Sequence, residues 1–200
     1  MDKKMMDKLD PDLQELWQQL VRLHHARRDQ THAQHNRINP FVEDLFDWKE
    51  RGAYLFGEGR NITIYNSTIV NGKVDIGDNS WIGPYCSLDG GEAGLQIGSY
   101  CSISLGVQLL THDTARWALS GGKASYEHAS TEIGDCCFIG SLAVVTRGVR
   151  VGRHCVIGAG AVVTGNVQDL TIVAGVPAKE IGKVRISPTG AVEFDYGSRG

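Results

Sequence analysis

His112, in the stretch QLLTHDTARW, stands where a six-residue rhythm stops, and Asp113 follows it directly. An imidazole has a reference pKa of about 6.5, so a histidine in a cleft can take the proton from a hydroxyl or amine as that group attacks a carbonyl. His112 is therefore the candidate general base. Two carboxylates could serve it. Asp113 is adjacent, but neighbouring side chains need not face each other, and an aspartate here can instead cap the turn from Thr114 to Trp117. Asp89, in SLDGGEAG, either orients the histidine, accepts a hydroxyl of the acceptor, or opens an Asp-Gly turn.

Further candidates flank the same stretch. Trp117 is either a stacking surface for an acceptor or the residue that pins the loop. Lys123, flanked by glycines and serines, either neutralises an acceptor phosphate or is a mobile surface cation. Glu127 and His128 lie at the returning end, facing either the acceptor or solvent. No residue between 110 and 131 is a cysteine, and Ser120 and Ser125 lack an identifiable neighbouring base. Direct transfer with no covalent enzyme intermediate is the expected route. Zinc chemistry would need three converging histidines, for which only His112, His128 and His154 are available in this half of the chain. His24, His25, His32 and His35 lack a completing cysteine or carboxylate cluster. No metal is expected.

The elements that must carry these residues follow from the rhythm itself. An aliphatic residue recurs at intervals of six: Ile64, Val70, Ile76, Ile82 and Leu88, then Ile97, Ile103 and Leu109, then Ile133, Ile139, Val145, Val151, Ile157 and Val163. Neither a helix nor an ordinary strand has that period. Glycine often follows the anchor, and the fourth residue after it is usually small: Ser80, Cys86, Cys101, Val107, Cys137, Ala143, Cys155, Ala161. A short strand and a turn per six residues, stacked coil on coil, make a solenoid in which each coil covers the next. Cys86, Cys101, Cys137 and Cys155 are then packing residues, whereas Cys136 points outward. The rhythm breaks twice. From Leu88 to Ile97 the GGEAG segment adds three residues, and between Leu109 and Ile133 the segment LTHDTARWALSGGKASYEHAST leaves the coil.

Ahead of the repeats, DPDLQELWQQLVRLHHARRD places Leu13, Leu16, Trp17, Leu20 and Leu23 at helical spacing, with Pro11 suited to a first turn entered from Asp10. Phe41, Leu45 and Trp48 are expected to form the buried stripe of a second short helix. The expected organisation is a helical region over 1–55 that caps the solenoid, a solenoid over 56–182 with its loop at 110–131, and a C-terminal tail over 183–200, loosely held beyond Ile186. A formal charge of −3 and a pI near 6.1 give no pull toward nucleic acid or an anionic membrane face. No signal peptide and no run long enough to span a bilayer are legible, and the five cysteines form no disulfide framework, so the cytoplasm is the expected compartment.

The repeat, together with the closing IVAGVPAKEIG, resembles the hexapeptide-repeat acyltransferases over about residues 56 to 182. The resemblance implies an all-β fold, a left-handed parallel β-helix with three hexapeptides per coil. It also implies a homotrimer with sites between subunits, and acetyl-coenzyme A as acyl donor. Carried over residue by residue, Ser141 and Ala159 match pantetheine contacts, with Gly140, Gly160 and Thr164 nearby, and Lys179, with Arg185 as a second cation, faces the nucleotide phosphates. His112 matches the histidine that the family presents on a loop leaving the coil. The loop itself is similar to that of bacterial acyltransferases acting on surface-polysaccharide sugars. The resemblance thus points first to a sugar hydroxyl as acceptor, and second to an amino group on a nucleotide-linked sugar. A carbonic-anhydrase-like zinc protein and a non-enzymatic scaffold are the rivals from other classes.

Overall fold

The structure is a computed structural model and describes residues 9–197. The chain divides into two compact units, the first ending at Asp47 and the second starting at Trp48.

In the first unit Pro11 opens a helix that runs to His35 and ends at Asn36 in a left-handed conformation. None of its residues is buried, and Leu13, Leu16, Trp17, Leu20 and Leu23 are all exposed. A short helix, Phe41–Leu45, folds back on it. The residues it buries are Glu43 and Asp44, not the apolar stripe expected of Phe41, Leu45 and Trp48. The reason is polar: Thr31 Oγ1 and Asn39 Nδ2 donate to the Asp44 carboxylate, and Arg27 Nε donates to its backbone carbonyl.

Trp48 opens a separate helix, Trp48–Phe56, which belongs to the second unit. Its Trp48 ring stacks on Tyr65, with centroids 3.7 Å apart. Its Gly52 lies so close to the first coil that a Cβ would meet the Ile62 carbonyl oxygen at 2.0 Å. Within the second unit, this helix lies against the first coil.

The second unit is a left-handed parallel β-solenoid of two-residue strands stacked in columns. One column runs Trp81–Ile82, Ser102–Ile103, Phe138–Ile139, Val156–Ile157 and Thr171–Ala174. A second aligns Leu88, Leu109, Val145 and Val163, and a third aligns Ile76, Ile97, Ile133 and Val151. The anchors of the first column, Ile82, Ile103, Ile139 and Ile157, are fully buried on the axis. Each coil repeats at 18 residues where it is regular, as from Cys137 to Cys155. Every side chain inside therefore meets its own counterpart above and below, and burial of the stack, at about 25 cal/mol per Å² of apolar surface, is what stabilises it.

The corners explain the small residues. Cys86, Cys101, Cys137 and Cys155 are buried, and their thiols donate to carbonyls of the following coil at Ser104, Gly134, Gly152 and Gln168 respectively. Those bonds satisfy carbonyls that the turns would otherwise leave unpaired inside. Cys136 is exposed, on a left-handed corner that it shares in register with Asn79, Tyr100 and His154. At the C-terminal end Lys179–Ile186 turns back antiparallel on Thr171–Ala174, and Val192–Asp195 pairs antiparallel outside it. These strands close the open edge with backbone hydrogen bonds, and the pairing reaches well into the segment expected to be a loose tail.

Candidate active site

Two irregularities in the solenoid meet at one corner. The first is the long strand Ser87–Ile97, which absorbs the GGEAG insertion in a bulged pairing with Ile69–Ile76. The second is the excursion after Leu109. Two threonines hold its base: Thr111 Oγ1 donates to the Asp89 carbonyl at 2.8 Å and Thr131 Oγ1 to the Leu110 carbonyl at 2.7 Å, and both residues are fully buried. Between them His112–Asp113 pairs antiparallel with Glu127–His128, and the helix Ala115–Leu119 forms part of the connection.

Side chains on a paired strand alternate between faces, so this ladder sorts its charges. On one face are the register partners His112 and His128, whose rings lie nearly parallel with centroids 5.8 Å apart. On the other are Asp113 and Glu127. Two carboxylates directly opposite each other repel, and Arg147 resolves the repulsion, with Nε on Asp113 Oδ2 at 2.5 Å and an Nη on Glu127 Oε2 at 2.9 Å. Arg116 adds a longer contact to Glu127, at 3.4 Å. The Arg147 guanidinium, helped by the Ala115 N–H, holds the Asp113 carboxyl below its ordinary pKa, and Asp113 in turn raises that of Arg147.

His112 has a different carboxylate. Its Nδ1 lies 2.9 Å from Asp89 Oδ2, with Asp89 only 8 % exposed. The oxygen stands off the line of the ring N–H, so the contact is a close approach rather than an aligned hydrogen bond. Alignments of this kind commonly tighten only when a substrate is bound. Asp89 is itself held, because Asn71 Nδ2 donates to its other oxygen at 3.1 Å. Gly91 lies behind the pair at φ +43°, where a Cβ would sit 3.2 Å from Thr111 Oγ1 and 3.8 Å from His112 Nδ1. A side chain there would be strained and would crowd the histidine.

The remaining candidates fall into place as follows. Asp89 lies in a strand rather than an Asp-Gly turn, and Asp113 accepts from Ala115 N and from Arg147. Trp117 packs edge-on against Tyr126, with centroids 5.6 Å apart, while Lys123 is exposed, its backbone N–H bound to Ser120 Oγ. Ser141, Ala159 and Gly160 stack on one corner, where Gly160 N–H donates to the Ser141 carbonyl at 2.8 Å. Gly140 is the close-packing residue beneath them, since a Cβ there would meet Ala159 N at 2.5 Å. Thr164 is exposed, in the register of Asp89 but lower in the stack. Lys179 is exposed on the turned-back strand, and Arg185 is occupied by Asp195 at 2.5 Å.

These two sets do not meet within one chain. His112 leaves the solenoid at the corner after the second column, whereas Ser141, Ala159 and Gly160 lie at the corner before it. Arg147, Asn71 and Gly91 escaped the sequence reading. The repeat carried a signal for Arg147, because Val145 pairs with Leu109, which puts Arg147 in the register of Thr111 directly below the mouth of the excursion. Among the described residues no group of three or more His, Cys, Asp or Glu is placed to hold a metal ion. No helix among them is long and apolar enough to cross a membrane.

Residues 130–165 match the family model of the bacterial transferase hexapeptide, six repeats. Over those residues the chain carries the repeat that this model describes. Solved acyltransferase structures share its fold. AntD, an N-acyltransferase from Bacillus cereus in complex with dTDP and 3-hydroxybutyryl-CoA, is 25% identical over 60% of this chain and 68% of its own, with a TM-score of 0.56. An aspartate-to-alanine variant of AntD in complex with dTDP and coenzyme A is 27% identical over 62% and 70%, with a TM-score of 0.57. A hexapeptide-repeat acetyltransferase from Vibrio cholerae, VCA0836, is 24% identical over 91% and 98%, with a TM-score of 0.60, and this likeness speaks for the fold alone. No curated protein sequence matches the chain.

Proposed function

We propose that this hexapeptide-repeat protein transfers an acyl group from acyl-coenzyme A to an amino group of a nucleotide-linked sugar, by direct attack with His112 as general base. The observation that carries the reading is the His112–Asp89 pair at the mouth of the excursion, at 2.9 Å. Once a bound acceptor aligns the pair, a carboxylate beside Nδ1 holds the tautomer that leaves Nε2 free to accept a proton, and it stabilises the imidazolium formed as the acceptor attacks. His112 can then return that proton to the departing thiolate. The sequence pointed first to a sugar hydroxyl as acceptor. The amine takes precedence because the relatives at 25 and 27% identity are an N-acyltransferase that binds dTDP together with a coenzyme A species.

We put the donor along the corner of Ser141, Ala159 and Gly160, where exposed and half-buried turn residues can contact pantetheine and Lys179 can meet phosphate. That corner and His112 are on different edges of one chain, so a complete site requires a neighbour. A homotrimer in which one subunit supplies His112 and the next supplies the donor corner answers this requirement. The cytoplasm is the proposed setting, since the buried cysteines serve as packing residues with thiols bonded to carbonyls rather than as a disulfide framework.

The test is a panel of acceptors with acetyl-coenzyme A: a dTDP-linked 4-amino-4,6-dideoxy sugar, free amino sugars and sugars bearing hydroxyls only. Released thiol and product mass are read together. The expected result is acylation of the nucleotide-linked amine. Acylation confined to hydroxyl acceptors would overturn the amine assignment, and no thiol release with any acceptor would overturn transferase activity.

A further inference from the structure

An amine acceptor poses a problem that a hydroxyl does not. Near neutral pH a sugar amine is largely an ammonium ion and has no lone pair, so it must lose one proton before it can attack and a second as it becomes an amide. His112 accounts for one. From the paired histidines we infer that His128 takes the other, acting as a second catalytic residue for protonated amine substrates. This rests on the amine reading above.

The geometry supports a division of labour between the two rings. They are register partners on one face of the hairpin, nearly parallel, with centroids 5.8 Å apart, so one substrate nitrogen placed over that face can reach both in turn. Their surroundings differ. The His112 side chain is one-third exposed and sits against Asp89. His128 is exposed, with the Tyr126 ring 6.5 Å beyond it. The strand packed beside it, Ser87–Ile97, brings Asp89 and Glu92, and the hairpin's other face holds Asp113, Glu127, Arg116 and Arg147 in ion pairs with one another. A proton accepted by His112 is held in place by a carboxylate and can be returned to the thiolate. One accepted by His128 passes to water.

The protons balance on this scheme. The ammonium gives one N–H proton to His128, which releases it to solvent. The neutral amine attacks the thioester carbonyl carbon, so a C–N bond forms and the C–S bond breaks. The second N–H proton moves to His112 and on to the sulfur. The products are the amide, free coenzyme A thiol and one proton, which is the stoichiometry of N-acylation by a thioester from an ammonium ion. A hydroxyl acceptor releases no such proton and would leave His128 idle.

The experiment compares wild type with His128→Ala and His112→Ala on the dTDP-linked amino sugar between pH 6.5 and 9.5, with folding checked by thermal melting. His128→Ala is expected to lower kcat/KM about 10-fold at pH 6.5, a modest proton-transfer contribution. That deficit should close as the amine loses its proton to the bulk at high pH, and added imidazole should restore part of the rate at low pH. The His112→Ala deficit should persist at every pH. A His128→Ala deficit of constant size across the range, or none at all, overturns the inference while leaving the amine assignment intact. Wild-type protein that acylates hydroxyls but no amine overturns both.

Discussion

The regular coils and the excursion are built from the same chain by opposite rules. In the coils each inward residue is fixed by its counterparts above and below. Ile82, Ile103, Ile139 and Ile157 occupy one fully buried position four times over. Chemistry is absent there because repetition leaves no room for a unique group. In the excursion no residue has a counterpart. Its order comes from buried threonines at the base and an arginine reaching up from the coil below. The solenoid thus provides a rigid edge, and the break in the repeat provides the asymmetry that a catalytic site needs.

If that division is real, truncating the stack must cost stability and truncating the hairpin must cost rate. The largest effect is expected on the stack. Ile139→Ala removes a side chain fully enclosed between Ile103 and Ile157, and should destabilise the protein by about 2–5 kcal/mol in denaturant unfolding. Turnover per folded molecule should be unchanged. A fall in turnover greater than the loss of folded protein would show that the coils and the site are not separable.

The reverse pattern is expected of His112→Ala, with a loss in kcat of about 100-fold or more and no shift in the melting transition. Asp89→Asn keeps the shape and can keep the Asn71 contact, but it removes the charge beside Nδ1. Its expected loss is smaller, on the order of 10-fold, because the base is misaligned rather than removed. Retained activity in His112→Ala would exclude it from the mechanism. Equal losses in the two variants would mean that Asp89 does more than orient the ring.

The same contrast explains what was legible in the sequence. The repeat announced the coils because a side chain every six residues has one place to go. Its first break falls on the bulge inside Ser87–Ile97 and its second on the excursion between Leu109 and Thr131. It could not say which carboxylate meets His112, since Asp89 and His112 come together only when successive coils stack Leu88 against Leu109. Adjacency favoured Asp113, yet strand alternation turns that residue to the other face. The N-terminal stripe misled for a related reason. Helical spacing marks which face is apolar but not whether anything covers it, and Asp44 is buried because three hydrogen-bond donors from its own unit reach it.

Arg147 gives the finest test of the comparison, because it belongs to the coil by register and to the excursion by its contacts. Its pairs are partly exposed, at 29 % for the arginine and 42 % for Asp113, so they are screened by salt and each contributes little to global stability. Their work is local, holding two facing carboxylates together and with them the histidine face. Arg147→Ala should leave the melting transition within about a degree or two and reduce kcat a few-fold, an effect consistent with a loosened rather than a missing base. Arg147→Lys should recover part of the loss, since it restores the charge without the two-pronged geometry. The pH dependence follows from the direction of the Asp113 shift. A carboxyl whose folded pKa is depressed stabilises the hairpin fully above the ordinary carboxylate range and loses that contribution as pH falls through the lowered value. Acid should therefore release the excursion while the apolar stack, which holds no titrating pair of this kind on its axis, stays folded. Hydrogen exchange at Asp113 and Glu127 amides, followed from neutral pH into acid in wild type and Arg147→Ala, would measure this directly, and loss of protection in the hairpin and the coils together would end the distinction between them.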